Sequence, residues 1–225
     1  MRREGNVDSL NLSSDTMQSI FIHNSDYTIE LVKTKSEFEP TVWSKAFGTS
    51  LKRNIIEAKI IHTCLGLKIP LKTFAVTPKS QTVEFAGLHG YNERSKYLLQ
   101  HLHELESQLL YTRVMRLDVA IDFNGSIPKR VTTHLKKSRE QFKWKNTIYY
   151  KTAKEKKTNR VMDIKIYNKA LHAKLDKPLS RLEFCFKSEY LKKVQLKDVQ
   201  SVYAKMEKSI KKSTGLDVKI NHILA

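Results

Sequence analysis

RLDVAIDF, the run from Arg116 to Phe123, decides how this chain folds. Read as a strand, successive side chains point to opposite sides. Leu117, Val119, Ile121 and Phe123 then share one face, and Arg116, Asp118, Ala120 and Asp122 share the other. The wider strand covers Arg113–Phe123 and stops at Asn124-Gly125 and Pro128, residues that favour turns. Two later runs follow the same rule. In Val161–Lys169, Ile164 and Ile166 take the apolar side, and Asp163, Lys165, Tyr167 and Lys169 the polar side. In Arg181–Lys187, Leu182, Phe184 and Phe186 point inward, with Arg181, Glu183, Cys185 and Lys187 opposite.

The remaining pattern is mixed. Strands are expected at Ser19–Asn24, Tyr27–Val32, Phe74–Val76, Thr82–Ala86 and Thr147–Lys151, the last forming a hairpin with the strand that begins at Val161. Asn92–Tyr111 predicts a helix, because Tyr97, Leu98, Leu102, Leu105 and Leu109 form one stripe at helical spacing. The Lys-rich tail, Ser188–Gly215, suits one or two helices. The fold class is therefore α+β: a central antiparallel sheet with packed helices. We divide the chain into a flexible N-terminus (1–15), an α+β domain (16–190) that holds all three patterned strands and a Lys-rich helical segment (191–225).

Composition narrows the function. Lys and Arg number 41 against 23 Asp and Glu, a net charge of +18. A folded surface so unbalanced attracts a polyanion and binds phosphates in a salt-dependent way. The bland alternative is a solubility surface, but such surfaces usually carry matching acids. No apolar run is long enough to span a membrane and no signal-peptide core is visible, so a cytoplasmic protein with no membrane partner is expected. The two cysteines, Cys64 and Cys185, read as reduced core thiols. Neither a GxxxxGK(S/T) loop nor GxGxxG occurs, which argues against nucleotide-driven chemistry.

If the three strands share a sheet, their polar faces merge. Asp118, Asp122 and Glu183 would then form a carboxylate set able to hold a hard divalent cation through oxygen. Tyr167 beside them is a candidate nucleophile. Arg116, Lys165, Lys169 and Arg181 would position a nucleic-acid backbone. A solvent-facing sheet of mixed charge needs no function, since cross-strand ion pairs stabilise sheets on their own. Two decoys compete. His101-Leu102-His103 matches a histidine–hydrophobic–histidine metal motif, but it lies in the expected helix, where positions i and i+2 diverge. Tyr149 and Tyr150 are expected to pack in the sheet or stack on bases, and they are the runner-up nucleophiles.

The order of segments is VEFAG, a helix, RLDVAIDF, TIYY, IKIYNK and RLEFCFK. This resembles the replication initiation factor family of plasmids and phages (the Rep_trans type), whose members carry RxDxAxD, TxYxGS, IRxYxK and RxE strands in this order. The similarity spans Thr82 to Lys187. TIYYK lacks the Gly-Ser, and His172 stands where an acid is common. The resemblance implies a rolling-circle-initiator-like fold and a metal-dependent, site-specific nicking and strand-transfer enzyme using Mg²⁺ or Mn²⁺. It implies that Tyr167 attacks DNA and keeps the 5′ phosphate, with Asp118 and Glu183 as leading metal ligands and Asp122 next. Arg116, Lys165, Lys169, Arg181, Tyr149 and Tyr150 would bind DNA. The expected partners are an origin hairpin or single strand, a host helicase and polymerase, and a second copy in a homodimer. A relaxase of a mobile element uses the same chemistry. The rivals from other classes are a basic DNA- or RNA-binding protein that does not cut and an inactive regulatory copy.

Overall fold

The computed structural model describes residues 2–14, 17, 20, 25–37, 53–62, 69–76, 81–89, 93–152 and 161–224. Its strands are β1 (Arg3–Ser14), β2 (Tyr27–Glu37), β3 (Arg53–His62), β4 (Ile69–Val76), β5 (Gln81–Ala86), β6 (Arg113–Asn124), β7 (Glu140–Trp144), β8 (Thr147–Lys151), β9 (Met162–Asn168), β10 (Leu179–Phe186) and β11 (Val218–Ile220). Among the described residues they form one sheet, ordered β2-β3-β4-β5-β1-β6-β10-β9-β8-β7. Neighbours along that path are antiparallel. β11 joins the first turn of β1 in parallel, pairing Arg3 with Val218. The helices whose bounds fall among the described residues are α1 (Glu93–Glu104), α2 (Glu106–Leu109), α3 (Lys129–Ser138), α4 (Lys169–Ala173) and α5 (Tyr203–Thr214), with a 3₁₀ segment at Leu196–Val202. The chain is thus α+β with a large antiparallel sheet, as the strand alternation predicts. No helix among the described residues is long and apolar enough to cross a membrane.

The core lies on the apolar face. Leu117, Val119, Ile121 and Phe123 of β6 and Leu182, Phe184 and Phe186 of β10 are buried together with Leu98 and Leu102 of α1, Val131 and Leu135 of α3, and Met206 and Ile210 of α5. Fully burying one such side chain contributes about 1.5–3 kcal/mol, so register is strongly specified: a slip by one residue would send every one of them to the polar face. That coupling fixes the polar partners too.

Several expectations need adjusting. Residues 1–15 read as loose, yet residues 3–14 form β1, the strand between β5 and β6, with Leu10 and Leu12 fully buried. Around Val7, Leu10 and Leu12 the strand carries Asn6, Asp8, Ser9, Asn11, Ser13 and Ser14, a polar set that hides the alternation from a hydropathy reading. The helix expected at Asn92–Tyr111 breaks at Leu105 into α1 and α2. The tail is also more than helical, since β11 extends the sheet after α5 ends at Gly215, a left-handed position at φ 72° that suits glycine. Gly5 is needed for a different reason: a Cβ there would meet Val218 Cγ1 at 2.9 Å and Val119 Cγ1 at 3.0 Å. Of the strand expected at Ser19–Asn24 only Ile20 is described, and it is helical. Cys64 lies outside the described residues.

Candidate active site on the polar face

Register aligns the polar residues in lateral rows. Tyr167 of β9 stands opposite Arg181 of β10, which stands opposite Asp122 of β6. One step along, Lys165 stands opposite Glu183, which stands opposite Ala120. The next row joins Asp163, Cys185 and Asp118. The adjacency that the sequence could only assume is therefore present, and two clusters result.

The first contains the tyrosine. Tyr167 is half-buried, and its hydroxyl donates to Glu183 Oε2 at 2.7 Å. Lys165 Nζ donates to Glu183 Oε1 at 2.8 Å. Asp118 is 1% exposed and Glu183 5%. Arg116 clasps Asp118 with both ends of its fork, Nε to Oδ1 at 2.7 Å and Nη2 to Oδ2 at 2.5 Å. Burial acts to raise Asp118; Arg116 opposes it, the charge of Glu183 adds to it, and the carboxyl is pushed up to about 6. Burial would raise Glu183 as well, but Lys165 and the hydrogen bonds it accepts hold it below the ordinary range. Tyr167 is displaced upward by burial and by the negative charge of Glu183, so its phenol is neutral at pH 7. Asn168, next in sequence, ends β9 by accepting from Leu171 N at 2.9 Å and starting α4, which fixes Tyr167 at the strand's end. From α4 the exposed ring of His172 meets the Tyr167 ring edge-on, 5.1 Å between centroids.

The second cluster centres on Arg181, which is 0% exposed. It donates to Asp122 through Nε at 2.8 Å and Nη2 at 3.0 Å, and forms an ion pair with Asp8, Nη1 lying 2.7 Å from Oδ1. His89 Nε2 lies 3.2 Å from Asp122 Oδ2. Asp8 arrives through a β-bulge in β1, where Asp8 and Ser9 together oppose Asp118. Asp8 and His89 were not among the residues the sequence singled out. A bulge leaves no mark in hydropathy, and His89 follows its strand in a short loop.

The expected residues thus separate. Asp118, Glu183, Tyr167, Lys165 and Arg116 come together. Asp122 sits with Arg181 instead, in the neighbouring row. Arg181, expected at the DNA, is buried between two carboxylates and ties β1, β6 and β10 together. Lys169 begins α4 beside Tyr167, and burial with the nearby Arg181 charge lowers its pKa. Tyr149 shares the polar face with Lys165, whereas Tyr150 pairs with Ile164 on the apolar side and is buried. In the His-Leu-His run, His101 is buried and bonded to Glu104 at 2.9 Å, while His103 meets the carbonyl of Ile223 at 2.9 Å. The two rings diverge, as a helix requires.

Ligand-type atoms of Asp118, Glu183 and Cys185 lie within 4.8 Å of one another. Three such donors make a group able to hold a metal ion, but as arranged they do not fit a hard divalent one. Both oxygens of Asp118 accept from Arg116, and those of Glu183 accept from Lys165 and Tyr167. The third donor is a soft sulfur, and burial raises the Cys185 thiol well above its ordinary range. A divalent ion would have to displace Lys165.

Comparison with known proteins gives little beyond this. No family model matches the chain, and no curated protein is significantly similar to it. Among solved structures it is similar to a rolling circle replication initiator protein from Geobacillus stearothermophilus, with 15% identity and a TM-score of 0.42 over 82% of this chain and 74% of that one.

Proposed function

We propose that this protein nicks one strand of DNA and transfers it by transesterification on Tyr167, initiating rolling-circle replication of a plasmid or phage. One observation carries the reading: a half-buried phenol at the end of a strand is hydrogen-bonded at 2.7 Å to an ionised, buried carboxylate whose other oxygen accepts from Lys165 at 2.8 Å. A neutral phenol attacks phosphate poorly, so it needs a base at the moment of attack. Glu183 is in place to take that proton. As the phenol oxygen bonds to phosphorus, the bond to the 3′ oxygen breaks. The 5′ phosphate stays on Tyr167, and the departing oxygen takes a proton from water to become a 3′ hydroxyl primer, while Glu183 returns the phenol proton to solvent. Lys165 and Arg116 supply the positive charge that a phosphorane needs nearby. The net charge of +18 favours binding of the strand.

The Mg²⁺ or Mn²⁺ that the family resemblance implies enters this scheme only where Lys165 yields Glu183, so no step depends on it. A host helicase and polymerase would extend the primer, and a relaxase would use the same step. Closed pairing of every Asp118 and Glu183 oxygen favours a second reading, a DNA-binding protein that does not cut. The two separate on incubating the full chain with labelled single-stranded and hairpin oligonucleotides, with and without Mn²⁺. The wild type should form a covalent adduct that Tyr167→Phe and Glu183→Gln both lose. Absence of any wild-type adduct, or an adduct that survives in Tyr167→Phe, overturns the nicking reading.

A further inference from the structure

The lateral rows do not stop at β9. Tyr167 pairs with Thr147 of β8, and Thr147 with Trp144 of β7. Lys165 likewise pairs with Tyr149, and Tyr149 with Phe142. Strands lie about 4.8 Å apart, so Trp144 sits roughly 10 Å across the sheet from Tyr167, on the same face. Every residue of β7 is exposed, and β7 is the outer strand of the path. Trp144 is 60% exposed and Phe142 42%. Phe142 and Tyr149 stack nearly parallel, 4.9 Å between centroids and 9° between planes, so the outer ring presents a flat free side. Lys145 Nζ lies 4.9 Å from the Trp144 ring centroid, in the two-residue turn that closes the hairpin. From Lys129 to Lys151 there are eight basic residues and one acid, Glu140.

Large flat rings left in water on an edge strand are costly to solubility and invite aggregation, unless something covers them. The local charge selects a polyanion. Rings within a basic surface suit unpaired bases, because each base can stack while its phosphate meets a lysine. A duplex keeps its bases stacked on one another and offers no such faces. We infer that Phe142 and Trp144 form a base-stacking subsite for single-stranded DNA, which leads the strand across β8 to Tyr167. The inference rests on the nicking reading for its direction but not for its existence, since stacking needs no cut.

The test measures anisotropy of a fluorescent single-stranded oligonucleotide and of a matched duplex, using the full chain with Tyr167→Phe to prevent turnover. Each of Phe142→Ala and Trp144→Ala should weaken single-strand binding by about 5- to 100-fold. Duplex binding should change less than twofold, and the thermal midpoint should not move, because both side chains are exposed. Trp144→Phe should restore most of the affinity. Unchanged single-strand affinity in the double alanine variant overturns the subsite. So does an equal loss on single strand and duplex, or a single-strand loss that Trp144→Phe fails to restore. If the subsite passes and the wild type still forms no covalent adduct, the nicking reading fails while the subsite stands.

Discussion

Replacing Arg181 with methionine tests whether the polar face is a built structure or a loose charged surface. The guanidinium is fully buried, makes a bidentate pair of hydrogen bonds to Asp122 and forms an ion pair with Asp8. Methionine fills similar space without charge, leaving both acids desolvated and without that cation. Removing one member of a buried pair costs about 3–5 kcal/mol. Asp122 keeps His89 and some water, its side chain being 17% exposed, which places the expected loss near the lower end, about 3 kcal/mol. For a chain of this length that lowers the thermal midpoint by roughly 6–12 °C. The pH dependence supplies a sign. Burial raises Asp122, but His89 and Arg181 outweigh it and leave its pKa depressed. A depressed carboxylate contributes stability above its unfolded pKa, which is lost as pH falls through the folded value. Without Arg181 most of that contribution disappears, so wild type and variant should converge below about pH 4. Urea unfolding at pH 7 and at about pH 2.5 measures both effects. A loss under about 1 kcal/mol at pH 7, or an equal loss at both pH values, refutes the buried bridge. Asp8→Asn and Asp122→Asn added to Arg181→Met should recover most of the stability at pH 7.

Other outcomes follow from the same geometry. Lys165→Met should tighten Mn²⁺ binding on the order of tenfold, read from the free-ion electron paramagnetic resonance signal, because the competing cation beside Glu183 is gone; unchanged binding would mean Lys165 does not guard the group. Asp118 has a raised folded pKa, so its effect on stability worsens as pH climbs from about 4 to about 6. Asp118→Asn should therefore gain on wild type by up to roughly 3 kcal/mol between pH 3.5 and pH 7 in urea titrations; a difference constant with pH would show that burial does not perturb this carboxyl. Deleting residues 2–14 should abolish cooperative unfolding followed by near-ultraviolet circular dichroism, since β1 is flanked on both sides; a loose leader could be removed without effect.

Much of this was legible where one face is apolar and the other polar. β6, β8, β9 and β10 follow from alternation within a residue or two, because burying Leu117, Val119, Leu182 and Phe184 leaves no other register. That same constraint brings Tyr167 and Glu183 together. β1 was not legible: Asn6, Asp8, Ser9, Asn11, Ser13 and Ser14 outnumber its buried apolar residues, so it has the composition of a loop. The division among the acids was also hidden. Asp118 and Asp122 are equivalent by alternation, and only the bulge at Asp8 and the reach of Arg181 distinguish them. Spacing along one strand cannot reveal a partner delivered by another. Exposed rings on β7 escaped for a related reason, since their strand has no buried side from which a periodicity could be read.

The parallel pairing of β1 with β11 bears on the order of events during synthesis. Arg3 emerges from the ribosome first, yet its partner Val218 emerges after more than two hundred further residues. The strand in the middle of the sheet must therefore wait: for β6 before it gains its long antiparallel neighbour, and for β11 before its first turn is covered. Contacts so distant in sequence close slowly. A nascent chain halted before residue 218 would carry the β9–β10 hairpin with Tyr167 in place beside a central strand whose first residues still lack their partner.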